Sequence, residues 1–246
     1  FTLFATPAAG AFRPYPALAV RIAALGAGPM FNFLSQALVQ ILVNGALRVY
    51  GAESIYGSET ALAAAGVANK VNTLAVAVMT GLANGMQPII SYNFGRRNYK
   101  RVIRTGQAVI GSVMAVSFLI FLAYQFFPEQ ITACFGTGDE LYFRFAAQYF
   151  RIFYLFVWLN GLLNSVGGFF SAQGKPWQSI AISFTRQIVA FPIMLFVLPR
   201  ILGLAGVLWS GPVADLVMAC LAGSLFFKRI RELKQMEENS RTDTDS

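Results

Sequence analysis

Lys70, Thr73, Ala77, Thr80, Asn84, Gln87 and Ser91 follow one another at alternating spacings of three and four. At 3.6 residues per turn that spacing puts all seven on one face of a helix, while Leu74, Val76, Val78, Met79 and Leu82 fill the other sides. A second series, Asn32, Gln36, Gln40 and Asn44, recurs every four residues and winds slowly round its helix. A third pair, Asn160 and Asn164, stands one turn apart among Gly161, Gly167 and Gly168. Amides, hydroxyls and one ammonium in otherwise apolar stretches hold water, bind a solute or bond a neighbouring helix. Four charged residues, Lys70, Arg151, Arg186 and Asp215, also stand inside apolar stretches, where a charge needs a partner, a cavity or water.

Bond-making chemistry is missing. The chain has no His and two Cys, Cys134 and Cys220, which make neither a disulfide framework nor a metal site. Proton chemistry would fall to carboxylates. The stretch Gly168 to Gly174 followed by Lys175 approaches a phosphate loop but has one residue too many, with Pro176 where Ser or Thr should hold magnesium. No catalytic triad or zinc site can be assembled without imidazole. The chain reads as a non-enzyme, with no metal and no cofactor.

The elements that position these residues are membrane helices. The chain is 56% hydrophobic and 12% charged, with 23 Phe, too apolar for a soluble domain. Uncharged runs long enough to cross a bilayer recur, so the fold class is all-α, a polytopic membrane protein with spans expected near 27–49, 61–90, 105–127, 142–171, 178–199 and 204–227. Residues 1–25, with Pro7, Pro14 and Pro16, read as a cytoplasmic linker ending in a short interfacial helix. Residues 26–229 form the six-helix unit, and the polar tail 230–246 is expected to be disordered after one helical extension. The chain starts at Phe1 without a charged leader and is read as a piece of a longer protein.

Orientation follows from the basic residues. The cluster Arg96, Arg97, Lys100, Arg101 and Arg104 lies between two uncharged runs, and retention of Lys and Arg inside places it in the cytoplasm. Arg13, Arg21, Lys175, Lys228, Arg229, Arg231, Lys234 and Arg241 then fall on the same side, against Arg48, Arg144 and Arg200 outside. Both ends are then cytoplasmic. The net charge of +8 is explained by topology and anionic head groups, and nucleic acid is not a partner. Counted from the outer helix ends, Lys70, Arg151 and Asp215 share a depth of roughly 15 Å and are expected to meet near the midplane. A structural ion pair between helices is the alternative to a functional role there, as inter-helix hydrogen bonding is for the polar stripes beside Gly81 and Gly85.

The sequence Gln-Pro-Ile-Ile-Ser-Tyr-Asn-Phe-Gly at 87–95, followed by the basic cluster and Val102, resembles the signature after the second helix of a lobe in the multidrug and toxic compound extrusion (MATE) family. Gly66-Val67-Ala68-Asn69-Lys70-Val71, Ala172 to Pro176, Ser183 to Gln187 with Pro192, and Pro212 to Asp215 fall in register with it. The resemblance runs from about Arg13 to Leu233, is carried by the ordered set, and is to the bacterial branch that exports drugs. It implies one lobe of a twelve-helix transporter, the carboxyl-terminal one. The partner is then the missing amino-terminal lobe or a second copy. It implies export of cationic or amphipathic small molecules across the lipid bilayer by antiport against H+ or Na+, through a cavity lined by the lobe's first, second and fourth helices. Gln36, Gln40, Asn44, Lys70, Thr73, Thr80, Asn84, Asn160 and Asn164 are the expected path, and Asp215 is expected to pair with Lys70 or Arg186 to set helix positions. Some members bind the coupling cation through carboxylates in the first and fourth helices, where this chain has only amides. A flippase for lipid-linked precursors and a non-transporting membrane subunit or fragment are the alternative readings.

Overall fold

The computed structural model describes residues 16–136, 138–174, 177, 180–181 and 184–242, with side chains between 30 and 238; within these there are helices and short connections and no strand. Helix α1 runs Pro16–Ala52, α2 Ser58–Gly95 and α3 Tyr99–Phe126. A one-turn α4, Pro128–Ala133, leads to α5, Glu140–Gln148. A π-helical segment, Tyr149–Phe153, and a break join α5 to α6, Val157–Ala172, at a bend of 47°. A second π-helical segment, Thr185–Ala190, runs into α7, Phe191–Leu202, and α8 spans Leu204–Thr242. Five helices among the described residues are long and apolar enough to cross a membrane, six if the bent pair counts as one.

Local chemistry sets the boundaries. Gly57 at φ 75° precedes α2, and Glu59 in the first turn complements the positive end of the helix dipole. The tight turn to α3 is made by Arg97 in the left-handed region (φ 57°) and by Asn98, whose side chain accepts from Arg101 N at 3.2 Å. Pro128 opens α4, and Asp139 caps α5 by accepting from Tyr142 N at 2.9 Å.

Two stretches depart from the sequence reading. Pro16 opens α1, so the short interfacial helix expected in the linker is continuous with the first span. The tail, expected to be disordered after one helical extension, is helical to Thr242, because its Glu, Lys, Gln, Met and Leu are helix formers and Ile230 and Leu233 are buried in the second of the two interior clusters. The beginning of the linker, the Lys175-Pro176 turn, Gln178, where the fifth span was expected to begin, and residues 243–246 lie outside the described residues.

The interior has two clusters. One packs Tyr149, Phe145, Phe150 and Tyr154 against Leu47, Met79, Val113 and Val207; the other packs Met86, Ile90 and Tyr99 against Phe169, Phe170, Met218 and Leu233. Small residues bring α3 and α6 together. A Cβ on Gly106 would enter the ring of Phe169, and one on Gly161 would collide with Ser117 and stand 3.1 Å from Val113. So close an approach leaves little free space in the α3–α6 seam, where the buried Ser117 donates to the Val113 carbonyl at 2.6 Å.

Candidate functional site

Asp215 is 4% exposed and is the centre of the polar structure. Arg186 donates to its Oδ1 through Nε at 2.7 Å and through a terminal nitrogen at 2.6 Å, and Asn160 Nδ2 donates to Oδ2 at 2.8 Å. Three spans meet in this one carboxylate. The second π segment carries Arg186 and widens its helix by part of a turn, which re-aims the side chain toward α8. On α8, Gly211 allows the backbone of Phe153 to approach: a Cβ there would stand 3.2 Å from the Phe153 carbonyl. An ionised carboxylate at this depth requires such partners, and removing one while leaving the other costs about 3–5 kcal/mol.

The polar connection continues on the α1 side. Next to Arg186, the buried Gln187 donates to Asn32 Oδ1 on α1 at 3.4 Å, a long bond, and Asn32 also accepts from Gln36 Nε2 at 2.7 Å. One turn further, Gln40 Nε2 donates to Asn44 Oδ1 at 2.9 Å. On the other flank, Asn164 is exposed one turn beyond Asn160, and a Cβ on Gly168, a turn further still, would lie 3.6 Å from Gln87 Nε2 on α2. Gln87 donates to Asn84 Oδ1 at 2.9 Å, and Ser91 Oγ donates to the Ala172 carbonyl at 2.9 Å. Gln36, Gln40, Asn44, Lys70, Thr73 and Asn84 are exposed at the surface of the lobe, while Thr80 and Asn160 are half-buried. Thr73 Oγ1 bonds back to the Asn69 carbonyl of its own helix at 2.9 Å.

The expected meeting of Lys70, Arg151 and Asp215 does not occur. Asp215 takes Arg186, and Lys70 stays exposed on α2. Arg151 lies near the far end of the lobe, where its Nε donates to the Gln125 carbonyl at 3.2 Å and it lines a pocket of about 450 Å³ with Glu129, Glu140 and Arg144. The depth count assumed a straight fourth helix; the π segment and bend, with α4 packed beside α5, put Arg151 beside the connecting segments instead.

Other polar groups had no signal in spacing. Tyr154 donates to Asn69 Oδ1 at 2.6 Å inside a cluster of buried tyrosines, with Tyr124 and Tyr149 ring centroids 5.6 and 5.8 Å from that of Tyr154. At the end where the α2–α3 turn lies, the buried Arg229 of α8 donates to Gln173 Oε1 at 2.8 Å and to Glu232 at 2.7 Å, and lies 5.8 Å from the Phe94 ring. Among the described residues, no group of three or more His, Cys, Asp or Glu is placed to hold a metal ion. The arrangement offers hydrogen bonds and charge to a solute and has no nucleophile poised against a base.

Residues 30–196, more than half of the chain, match the model of the family MatE. The chain belongs to the MatE family. Multidrug export protein MepA of Staphylococcus haemolyticus is 25% identical to it over 210 residues, 85% of this chain and 44% of that protein. MepA of Staphylococcus saprophyticus is 23% identical over 222 residues, 89% of this chain and 46% of that one. This MatE chain therefore spans less than half the length of these curated relatives. Among solved structures, an inward-facing multidrug resistance MATE family transporter of the MOP superfamily superposes with a TM-score of 0.79 at 18% identity, over 92% of this chain and 51% of that one. The MATE multidrug transporter DinF-BH, solved as a complex, superposes with a TM-score of 0.70 at 28% identity, over 82% of this chain and 44% of that one. The chain is a multi-pass membrane protein of a transporter family and not an enzyme.

Proposed function

We propose that this chain is the carboxyl-terminal lobe of a secondary multidrug exporter that works by cation-coupled antiport. The observation that carries the reading is the position of the polar side chains. Those of α1, α2 and α6 stand on the surface beside closely packed helix seams, and α1 and α6 are joined through Asn32, Gln187, Arg186, Asp215 and Asn160. A surface of that kind is unfavourable against hydrocarbon and favourable beside a solvated cavity shared with a second lobe. Gln36, Gln40, Asn44, Lys70, Thr73, Thr80, Asn84, Asn160 and Asn164 then line the path of a cationic or amphipathic compound. The Asp215 and Arg186 pair holds the fourth, fifth and sixth spans in register. Amides stand on α1 and α6 where a coupling cation would need carboxylates, so the H+ or Na+ switch belongs to the other lobe. The membrane is the bacterial cytoplasmic one, with both ends inside.

Accessibility tests the reading. In a background with the two exposed cysteines, Cys134 and Cys220, replaced by Ser, Cys placed at Thr73, Thr80 or Asn84 should react with a membrane-impermeant thiol reagent. Cys at Ala83, which is 3% exposed, should not. Bound drug should protect the reactive positions. Equal protection of Ala83 and Asn84 from the reagent would place the stripe against lipid or protein and remove the path.

A further inference from the structure

The pocket at the start of α3 lies outside the polar face just described. It is a shallow, open hollow lined by Asn98, Lys100, Arg101, Arg104, Thr105 and Ala108, so every charged group in its wall is a cation. Lys100, Arg101 and Arg104 are exposed on the outward face of the helix, while Tyr99, Val102 and Ile103 bury the opposite face in the lobe. Asn98 already accepts from Arg101 N, so the side chains and not the backbone provide the attraction.

Depth decides what meets these cations. The uncharged stretch from Thr105 to Phe126 is about 33 Å long at helical rise, close to the roughly 30 Å of a hydrocarbon core. Arg104 therefore stands at the edge of the core, and Lys100 and Arg101 one turn outside it, in the layer of lipid phosphates. The same exposed stripe continues inward from Arg101 and Arg104 through Ala108, Gly111 and Ala115, and a Cβ on Gly111 would touch nothing within 4 Å. Positive charge at phosphate level above a low track of small residues complements an anionic head group and the chain beneath it.

We propose that Lys100, Arg101 and Arg104 form a binding site for the phosphate of an anionic phospholipid, seated with one acyl chain along Ala108, Gly111 and Ala115. Positive-inside topology alone would require the charges but no preference among lipids. Binding is read as retained lipid on the purified protein in neutral detergent, titrated with phosphatidylglycerol, phosphatidylcholine or glycerol phosphate. Phosphatidylglycerol should be retained at least tenfold more tightly than phosphatidylcholine, and glycerol phosphate should not displace it at equal concentration. Each Lys or Arg near an anionic lipid contributes a roughly fivefold gain. K100Q/R104Q should therefore lose about 30-fold in phosphatidylglycerol affinity, whereas K100R/R104K should keep it and R96Q, at the turn, should change it little. Equal retention of the two lipids by the unaltered protein would overturn the proposal whatever the variants do. So would an undiminished preference in a folded K100Q/R104Q variant, and displacement by glycerol phosphate would make this a small-anion site instead.

Discussion

Asp215 resolves a choice that charge alone leaves open, because Lys70 and Arg186 are both cations in apolar helices. A guanidinium reaches one carboxylate oxygen with two nitrogens and leaves the other to Asn160, which satisfies the anion without water. A single flexible ammonium on the exposed side of α2 could not. Replacing Asp215 by Ala should then destabilise the purified protein by about 3–5 kcal/mol, read as a fall in its thermal midpoint. Because the loss is mostly that of an unpaired Arg186, D215L/R186M should recover most of it. A double variant no more stable than the single one would show that the ion pair itself holds the spans. Under the proposed function, Asp215→Asn in the complete protein should reduce drug resistance at normal expression.

At the scale of elements, both π segments sit where the sequence looks like ordinary helix. Each adds part of a turn and rotates the residues beyond it. Deleting Val189, exposed in the second segment, should return that stretch to α geometry, swing Arg186 away from Asp215 and lower stability as much as D215A does. The α3–α6 seam makes a second prediction. Gly161→Val would drive a side chain into Ser117 and Val113 and should cost about 1–3 kcal/mol by overpacking. Gly111→Val on the open outer face of the same α3 should change the thermal midpoint little. These glycines are visible in the sequence, but only packing distinguishes the one that admits a neighbour from the one that faces outward.

For the molecule as a whole, the surface of α1 is the informative one. Ser35, Val43 and Leu47 bury a narrow seam, while Phe31, Phe33, Leu34, Leu38 and Ile41 are exposed around Gln36, Gln40 and Asn44. A second lobe, under the proposed function, would cover these mixed polar and apolar flanks. Under the proposed function, expression of this chain alone should confer no drug resistance, and co-expression with the complementary six-helix half should restore it. Resistance from the single chain would point to two copies acting together.

The helical class, the membrane class and the polar faces are written in the sequence itself, because hydrophobic periodicity and charge exclusion act within one segment and leave a local record. The α2 stripe is such a record, as are Asp215 and Arg186 as charges at membrane depth. Which charges pair is a different matter. It depends on the 47° bend beside Tyr154, on the extra residue carried by each π segment and on how near Gly211 lets α8 approach Phe153. Those are distances between segments far apart in the chain, set by side-chain volume at their crossings, and so Arg151 went to the lobe's edge and Arg186 to its centre.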